Sequence, residues 1–305
     1  MTEFTFAPAT KEGVKARIAF AGPSGSGKTY TALVTARALA GVDGKIAVID
    51  TERESAKLYA DEFVFNTLNM HTYDPRDLVR ALAGAAQQGH HVVVVDSLSH
   101  FWMGKDGMLE QVDNAAKRSY GGNNFGGWKE ARPMERQLID ALLAYPGHVI
   151  VTMRTKTEWV VQDNEKGRKE PKKIGTKPEQ REGIEYEFTI VGDIDLEHTL
   201  VISKSRCKPL ADAVIRNPDD EFGRTVLAWL GAGKAMPNAN DYRDAAIDPH
   251  ATFQDLGVLF DEVKARGLAG AAIIDDTGET VTLGQLIIAR GNALKLAATQ
   301  DGAAA

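Results

Sequence analysis

The sequence predicts an α/β fold, a mostly parallel sheet with helices on both faces. Three observations lead there. Short apolar runs alternate with helical patterns over roughly the first two thirds of the chain, the signature of successive βα units. One run, Val92-Val93-Val94-Val95, is apolar without alternation, which suits a central strand buried on both faces. A glycine-rich turn, Gly22–Thr29, separates the first apolar run from the first helical stretch, where parallel sheets bind phosphate.

Taken in order, the expected strands are Ala16–Ala21, Lys45–Asp50, His91–Asp96 and His148–Met153. Between them lie helical stretches at Lys28–Ala40, Pro75–Gln88 and Trp128–Ala144. Asp74-Pro75 reads as an N-cap followed by proline in the first turn. After Gly183 two β-rich runs, Glu185–Asp193 and His198–Lys204, flank the polar turn Ile194–Glu197 and read as an antiparallel hairpin appended to the sheet edge. The core should end near Gly233, giving one domain over 1–235 and a remainder over 236–305. That remainder opens on a linker, Met236–Asn240, continues with helical patterns at Phe253–Arg266 and Leu283–Leu296, and frays at its end. No internal repeat is present.

A chain of 305 residues, 43% hydrophobic and 26% charged, can bury a full core and should be globular and soluble. Cys207 is the single cysteine, so there is no disulfide framework and no thiol pair for a zinc knuckle. No apolar run approaches the ~18 residues that a bilayer crossing needs. A cytoplasmic location without membrane contact is the expectation. The net charge of −6 would argue against nucleic acid, but the charges are uneven. From Arg154 to Arg181 nine Lys/Arg face five acids, whereas residues 238–305 carry five bases and ten acids. A basic segment of this kind is suited to phosphate contact, and the acidic end is not.

The strongest motif is Gly22-Pro23-Ser24-Gly25-Ser26-Gly27-Lys28-Thr29, a full G-x-x-x-x-G-K-[ST] pattern between strand and helix. The glycines let the backbone turn its N–H groups inward, and the helix dipole adds positive potential. Lys28 supplies a cation for the β- and γ-phosphates and Thr29 a hydroxyl for Mg²⁺, so the expected ligand is ATP·Mg²⁺. The bland alternative is a glycine-rich turn with an exposed lysine. Asp96, closing the valine strand, is the expected acid on the Mg²⁺ side; alternatively it only caps the following segment.

With these residues the chain resembles the RecA-type recombinase ATPases. More narrowly it is similar to phage-encoded RecA-like ATPases that work with single-strand annealing systems, over about residues 16–231. The resemblance implies a RecA-like core and nominates Glu52, in Val48-Ile49-Asp50-Thr51-Glu52, as the residue activating the hydrolytic water. It places Tyr59 against the adenine. The family's sensor strand matches His148–Met153, where Arg154 stands in for the expected polar amide. Lys204-Ser205-Arg206 matches the paired cations that reach a neighbouring subunit's nucleotide, which implies a homo-oligomer or filament. Partners implied are single-stranded DNA and a phage single-strand-binding or annealing protein, in the cytoplasm of a bacterial host cell. On the residues alone, Glu52 could be a solvated loop acid, Tyr59 a core aromatic, and Lys204 and Arg206 a charged strand face.

Two segments look too long and irregular for ordinary connections, Ser119–Trp128 and Thr155–Glu182. In the RecA-like family the corresponding positions are DNA-binding loops. Phe125, Trp128 and Trp159 could stack on bases while Lys156, Lys169, Lys172 and Lys173 track phosphates; a surface lid is the alternative. Three readings stay open: a DNA-dependent ATPase promoting annealing or strand exchange, a nucleotide-controlled replication regulator or helicase loader, and a P-loop small-molecule kinase.

Overall fold

The structure, a computed structural model, describes residues 10–118, 124–163, 169–231 and 237–301. Strand β1 (Arg17–Gly22) leads into α1 (Lys28–Ala40), β2 (Ile46–Asp50), β3 (Asn66–Asn69) and α2 (Pro75–Gln87). Next come β4 (Val92–Asp96), α3 (Leu98–Met103), α4 (Met108–Arg118), α5 (Asn124–Ala144), β5 (His148–Asp163) and β6 (Lys169–Pro178). Strands β7 (Ile190–Ile194), β8 (Thr199–Ser205) and β9 (Val214–Arg216) precede α6 (Asp220–Leu230). The chain then forms α7 (Ala239–Ile247), α8 (Phe253–Ala265), the ribbon β10 (Ala272–Ile274) and β11 (Thr280–Thr282), and α9 (Leu283–Asp301).

The main sheet runs β3-β2-β4-β5-β1-β7-β8-β9, parallel from β3 through β7. Strands β8 and β9 add antiparallel at one edge. This is a mixed, mostly parallel α/β architecture. Apolar runs without alternation make both faces of the sheet cores. Ala19, Ala21, Val93, Val95, Val149 and Val151 meet α2 and α5 through Leu78, Leu82, Leu138 and Leu142. Their sequence neighbours Ile18, Phe20, Val92, Val94 and Ile150 meet α1 and α6 through Leu33, Val34, Phe222 and Val226. Each buried Val, Leu, Ile or Phe among them contributes about 1.5–3 kcal/mol relative to exposure. As expected, Asp74 caps α2, its carboxylate accepting from Arg76 N at 2.9 Å.

Several expectations need correction. The segment from Thr155 onward is not an irregular loop: β5 continues to Asp163 and pairs antiparallel with β6. β-prone Thr155, Thr157, Trp159, Val160 and Val161 carry the ladder, although the interleaved charges hide any apolar face. The glycine-rich segment before Trp128 is already helical from Asn124, so Phe125 and Trp128 belong to α5. Gly127 marks a close crossing rather than a loop, since a Cβ there would lie 2.4 Å from the Val112 carbonyl oxygen of α4. Trp128 is partly buried and packs against Trp102, centroids 5.9 Å apart, beside Met108 and Val112. The run from Glu185 starts as a 3-10 turn, Ile184–Glu187, and becomes strand only at Ile190. Within the span expected as a linker, Met236–Asn240, α7 begins at Ala239, capped by Asn238.

The C-terminal elements build a cluster of their own around Tyr242, Leu256, Val263, Ile273 and Ile287, with Ala144 of α5 among its members. They lie against the core: Asn240 donates to the Ala86 carbonyl at 2.8 Å, and Ala272 joins the α2–α5 side. Among the described residues, no helix is long and apolar enough to cross a membrane.

Candidate nucleotide site

Parallel register brings the chemistry to one sheet edge. Asp50 pairs with Asp96 across β2 and β4, Val95 with Val151 across β4 and β5, and Gly22 with Arg154 across β1 and β5. The turn after β1, the segment after β2 and the ends of β4 and β5 therefore open together into a cleft of about 1110 Å³. Its walls include Gly25, Lys28, Thr29, Glu52, Tyr59 and Asp96.

The P-loop takes the shape that its glycines allow. Gly25 and Gly27 sit at φ +81 and +88, left-handed positions that strain other residues. At Gly22 a Cβ would come within 2.6 Å of Ser26 Oγ and 2.4 Å of the Ile194 carbonyl oxygen. Pro23 and Ser24 complete the turn, and the Pro23 carbonyl accepts from Lys28 Nζ at 2.7 Å. Burial, ahead of the opposing pull of Asp96 and Glu52, holds the Lys28 ammonium below its usual range. A phosphate there would favour the charged ammonium. Ser26 Oγ is buried without a protein partner. The first N–H groups of α1 have no intrahelical acceptor. An anion-shaped cradle with an orphaned donor fits a nucleotide phosphate chain.

Asp96 is buried, one carboxylate oxygen accepting from Thr29 Oγ1 at 2.6 Å and the other from the Thr152 hydroxyl. Burial pushes this carboxyl up, while both hydroxyls act against that shift. A carboxylate beside the P-loop threonine fits Mg²⁺, which is bound through one or two carboxylates and substrate phosphates. Thr29 and Asp96 would hold the ion, which when bound neutralises phosphate charge.

Glu52 stands at the cleft on a turn shaped by Asp50, whose carboxylate accepts from Glu52 N at 2.6 Å and Ala56 N at 3.1 Å. Arg53 and Glu54 follow with φ +56 and +68, strain of the kind that collects at functional sites. Arg154 forms a two-pronged ion pair with Glu52, Nε to Oε1 at 2.8 Å and the second nitrogen to Oε2. Burial favours the neutral acid at Glu52, but Arg154, with His100 and Ser97, outweighs it and holds the carboxyl below its usual range. Behind it His100 Nδ1 lies 2.7 Å from Thr51 Oγ1, with the ring stacked on Tyr73 at 4.8 Å.

Tyr59 lines the cleft edge-on to Tyr30, centroids 5.8 Å apart. Arg154 is at the cleft, at the root of the β5–β6 hairpin, and Lys156 is exposed one step further along. The side chains of Phe125, Trp159, Lys169, Lys172 and Lys173 lie outside the described part of the structure. Lys204 and Arg206 are not brought to this cleft. Because β8 runs antiparallel, Ser205 pairs with Ile190 at the far end of β7, away from the P-loop. Lys204 Nζ instead donates to the carbonyls of Glu185 and Tyr186 at 2.8 and 2.9 Å.

Sequence reasoning missed Asp50, Thr152 and His198 as parts of the site. Register alone identifies Thr152, the residue after Val151, which pairs with Val95. His198 carried no local signal, being one polar residue at the start of an expected strand.

Among known proteins, the family described as an AAA domain matches residues 14–215, which spans the P-loop, Glu52, Asp96 and the strands through β9. No curated protein matches the chain. With the match covering about two thirds of its length, the chain belongs to this AAA-domain family of nucleotide-binding P-loop NTPases.

Proposed function

We propose that this protein hydrolyses ATP with Mg²⁺, and that as an oligomer on single-stranded DNA it promotes annealing or strand exchange in phage recombination. The observation that carries the ATPase reading is the convergence of Lys28, Thr29, Asp96 and Glu52 on one cleft. In this reading Lys28 binds the phosphates, Thr29 and Asp96 carry the metal, and Tyr59 borders the base. Glu52 accepts the proton of the attacking water. It can do so only when its pair with Arg154 opens.

The DNA reading rests on the β5–β6 hairpin, which rises from the same edge as the P-loop and has Arg154 at its root. Phosphates drawn to the basic hairpin would pull on the strand that holds Glu52, which ties DNA occupancy to hydrolysis. The same ion pair supports a second reading, a nucleotide-controlled replication regulator or helicase loader in which a restrained Glu52 keeps turnover slow.

ATP turnover measured with and without single-stranded DNA separates the readings. Stimulation of tenfold or more is expected for the recombination reading; DNA-independent turnover favours the regulator. Glu52→Gln should keep ATP binding and lose turnover by about 10²–10⁴-fold, and normal turnover in that variant moves the base elsewhere. Replacing Lys169, Lys172 and Lys173 with glutamine should weaken DNA binding on every sequence and flatten its salt dependence by about 0.7 per lost phosphate contact. An unchanged salt slope removes the hairpin from the DNA surface.

A further inference from the structure

His198 sits in the turn between β7 and β8, and its Nδ1 lies 3.1 Å from the Ser26 carbonyl oxygen in the P-loop. A carbonyl only accepts, so Nδ1 carries the hydrogen and donates it. The Ser26–Gly27 peptide is planar, with its C=O and N–H on opposite sides. Holding the Ser26 oxygen on His198 therefore turns the Gly27 N–H away from the imidazole. Of the two residues that flank this peptide, Gly27 has no side chain and sits at positive φ, which lowers the steric resistance to its rotation. Rotated, it would present a carbonyl dipole to an anionic ligand in place of an amide.

The backbone that carries the imidazole is itself held in place. His198 has φ +60, a left-handed position that a residue with a side chain keeps only where its surroundings hold it. Its N–H donates to Asp195 O at 3.2 Å, and its carbonyl accepts from Asn217 N at 2.9 Å. The end of β7 presses on the start of the P-loop, where the Ile194 carbonyl oxygen would be 2.4 Å from a Cβ on Gly22. On the other side of the loop, a Cβ on Gly27 would meet Nδ1 at 3.2 Å.

We propose that His198 is a positioning residue for phosphate binding: its Nδ1–H holds the Ser26 carbonyl outward and leaves the Gly27 amide free for the phosphate chain of a nucleoside triphosphate. This rests on the reading of the P-loop as the nucleotide site. The clamp acts on phosphate rather than on base or sugar, so it should serve inorganic tripolyphosphate as it serves ATP.

Three variants of the full chain test it. The amide nitrogen of asparagine hangs from Cγ as Nδ1 does, and asparagine tolerates left-handed backbone, so His198→Asn keeps the donor. His198→Ala removes it, and His198→Asp sets an acceptor against the carbonyl. Dissociation constants for ATP·Mg²⁺ and tripolyphosphate are measured beside the thermal midpoint. His198→Asn should bind both ligands within about twofold of the parent. His198→Ala should lose roughly three- to tenfold for both and His198→Asp more. Parent-like binding by His198→Ala, or an equal loss in His198→Asn, overturns the clamp. Should His198→Ala not fold, the same-sized Asn and Asp variants decide it, and equal affinities in those two overturn it. Lys28→Ala is run alongside: if it binds ATP as the parent does, the nucleotide site itself is misplaced, a failure distinct from that of His198.

Discussion

Asp96 can serve a metal only as a carboxylate, yet it is buried and its burial favours the protonated acid. The hydroxyls of Thr29 and Thr152 oppose that cost, each donating to a different oxygen. Thr152→Val keeps the shape and deletes one donor. It should destabilise the fold by about 1–3 kcal/mol and raise the Mg²⁺ concentration for half-maximal turnover several-fold, while Thr152→Ser restores both. Urea unfolding and Mg²⁺ titration of turnover check this, and an unchanged Mg²⁺ demand would remove Thr152 from the site. Lys28, Thr29 and Asp96 were legible in the sequence because each sits in a local pattern, a glycine turn or the end of an apolar strand. Thr152 and His198 were not, since register and a tertiary turn place them.

Among the elements, the pairing of β1 with β5 depends on a histidine that must stay neutral. His148 Nδ1 accepts from Ala16 N at 3.0 Å. Burial first, then the nearby charges of Lys15, Arg17 and His91, push its pKa down from 6.5 to about 3. A folded-state value below the ordinary one means that the unfolded chain binds the proton first as pH falls. Stability is therefore complete above about pH 6.5 and declines toward pH 3, with a slope of up to about 1.4 kcal/mol per unit from this group. Urea unfolding at pH 7.5 and 5.5 should show that decline. His148→Asn, whose Oδ1 can accept in place of Nδ1, should remove the histidine's share, and an equal decline in both proteins would assign it to other groups. Strands with continuous apolar runs were readable at this scale. Strand β3, Asn66-Thr67-Leu68-Asn69, was not, because an exposed edge strand offers no apolar face. The β5–β6 hairpin escaped for a related reason: beyond Arg154, charged residues interrupt the β-prone ones.

For the whole molecule, the sheet separates Lys28 from the two cations that the family resemblance sends to a neighbouring subunit's nucleotide. Lys28 lies at the edge where the parallel strands end, and Lys204 and Arg206 at the opposite end of the β7–β8 pair. In a single subunit they cannot reach the same phosphates. If they act on ATP, they act on a neighbour's, as a head-to-tail assembly with a heterologous interface would allow. Changing Lys204 and Arg206 together to Ala should leave ATP affinity of the isolated subunit within about twofold, yet lower turnover of the assembly at least tenfold. Mixed one to one with Lys28→Ala protein, random head-to-tail assembly gives about a quarter of the interfaces an intact P-loop facing intact cations. Activity should therefore return toward about a quarter of the parent level, although each protein alone is nearly inactive. Mixtures shown by cross-linking to co-assemble, but with no regained turnover at any ratio, would leave these cations as a charged strand face and confine the active site to one chain.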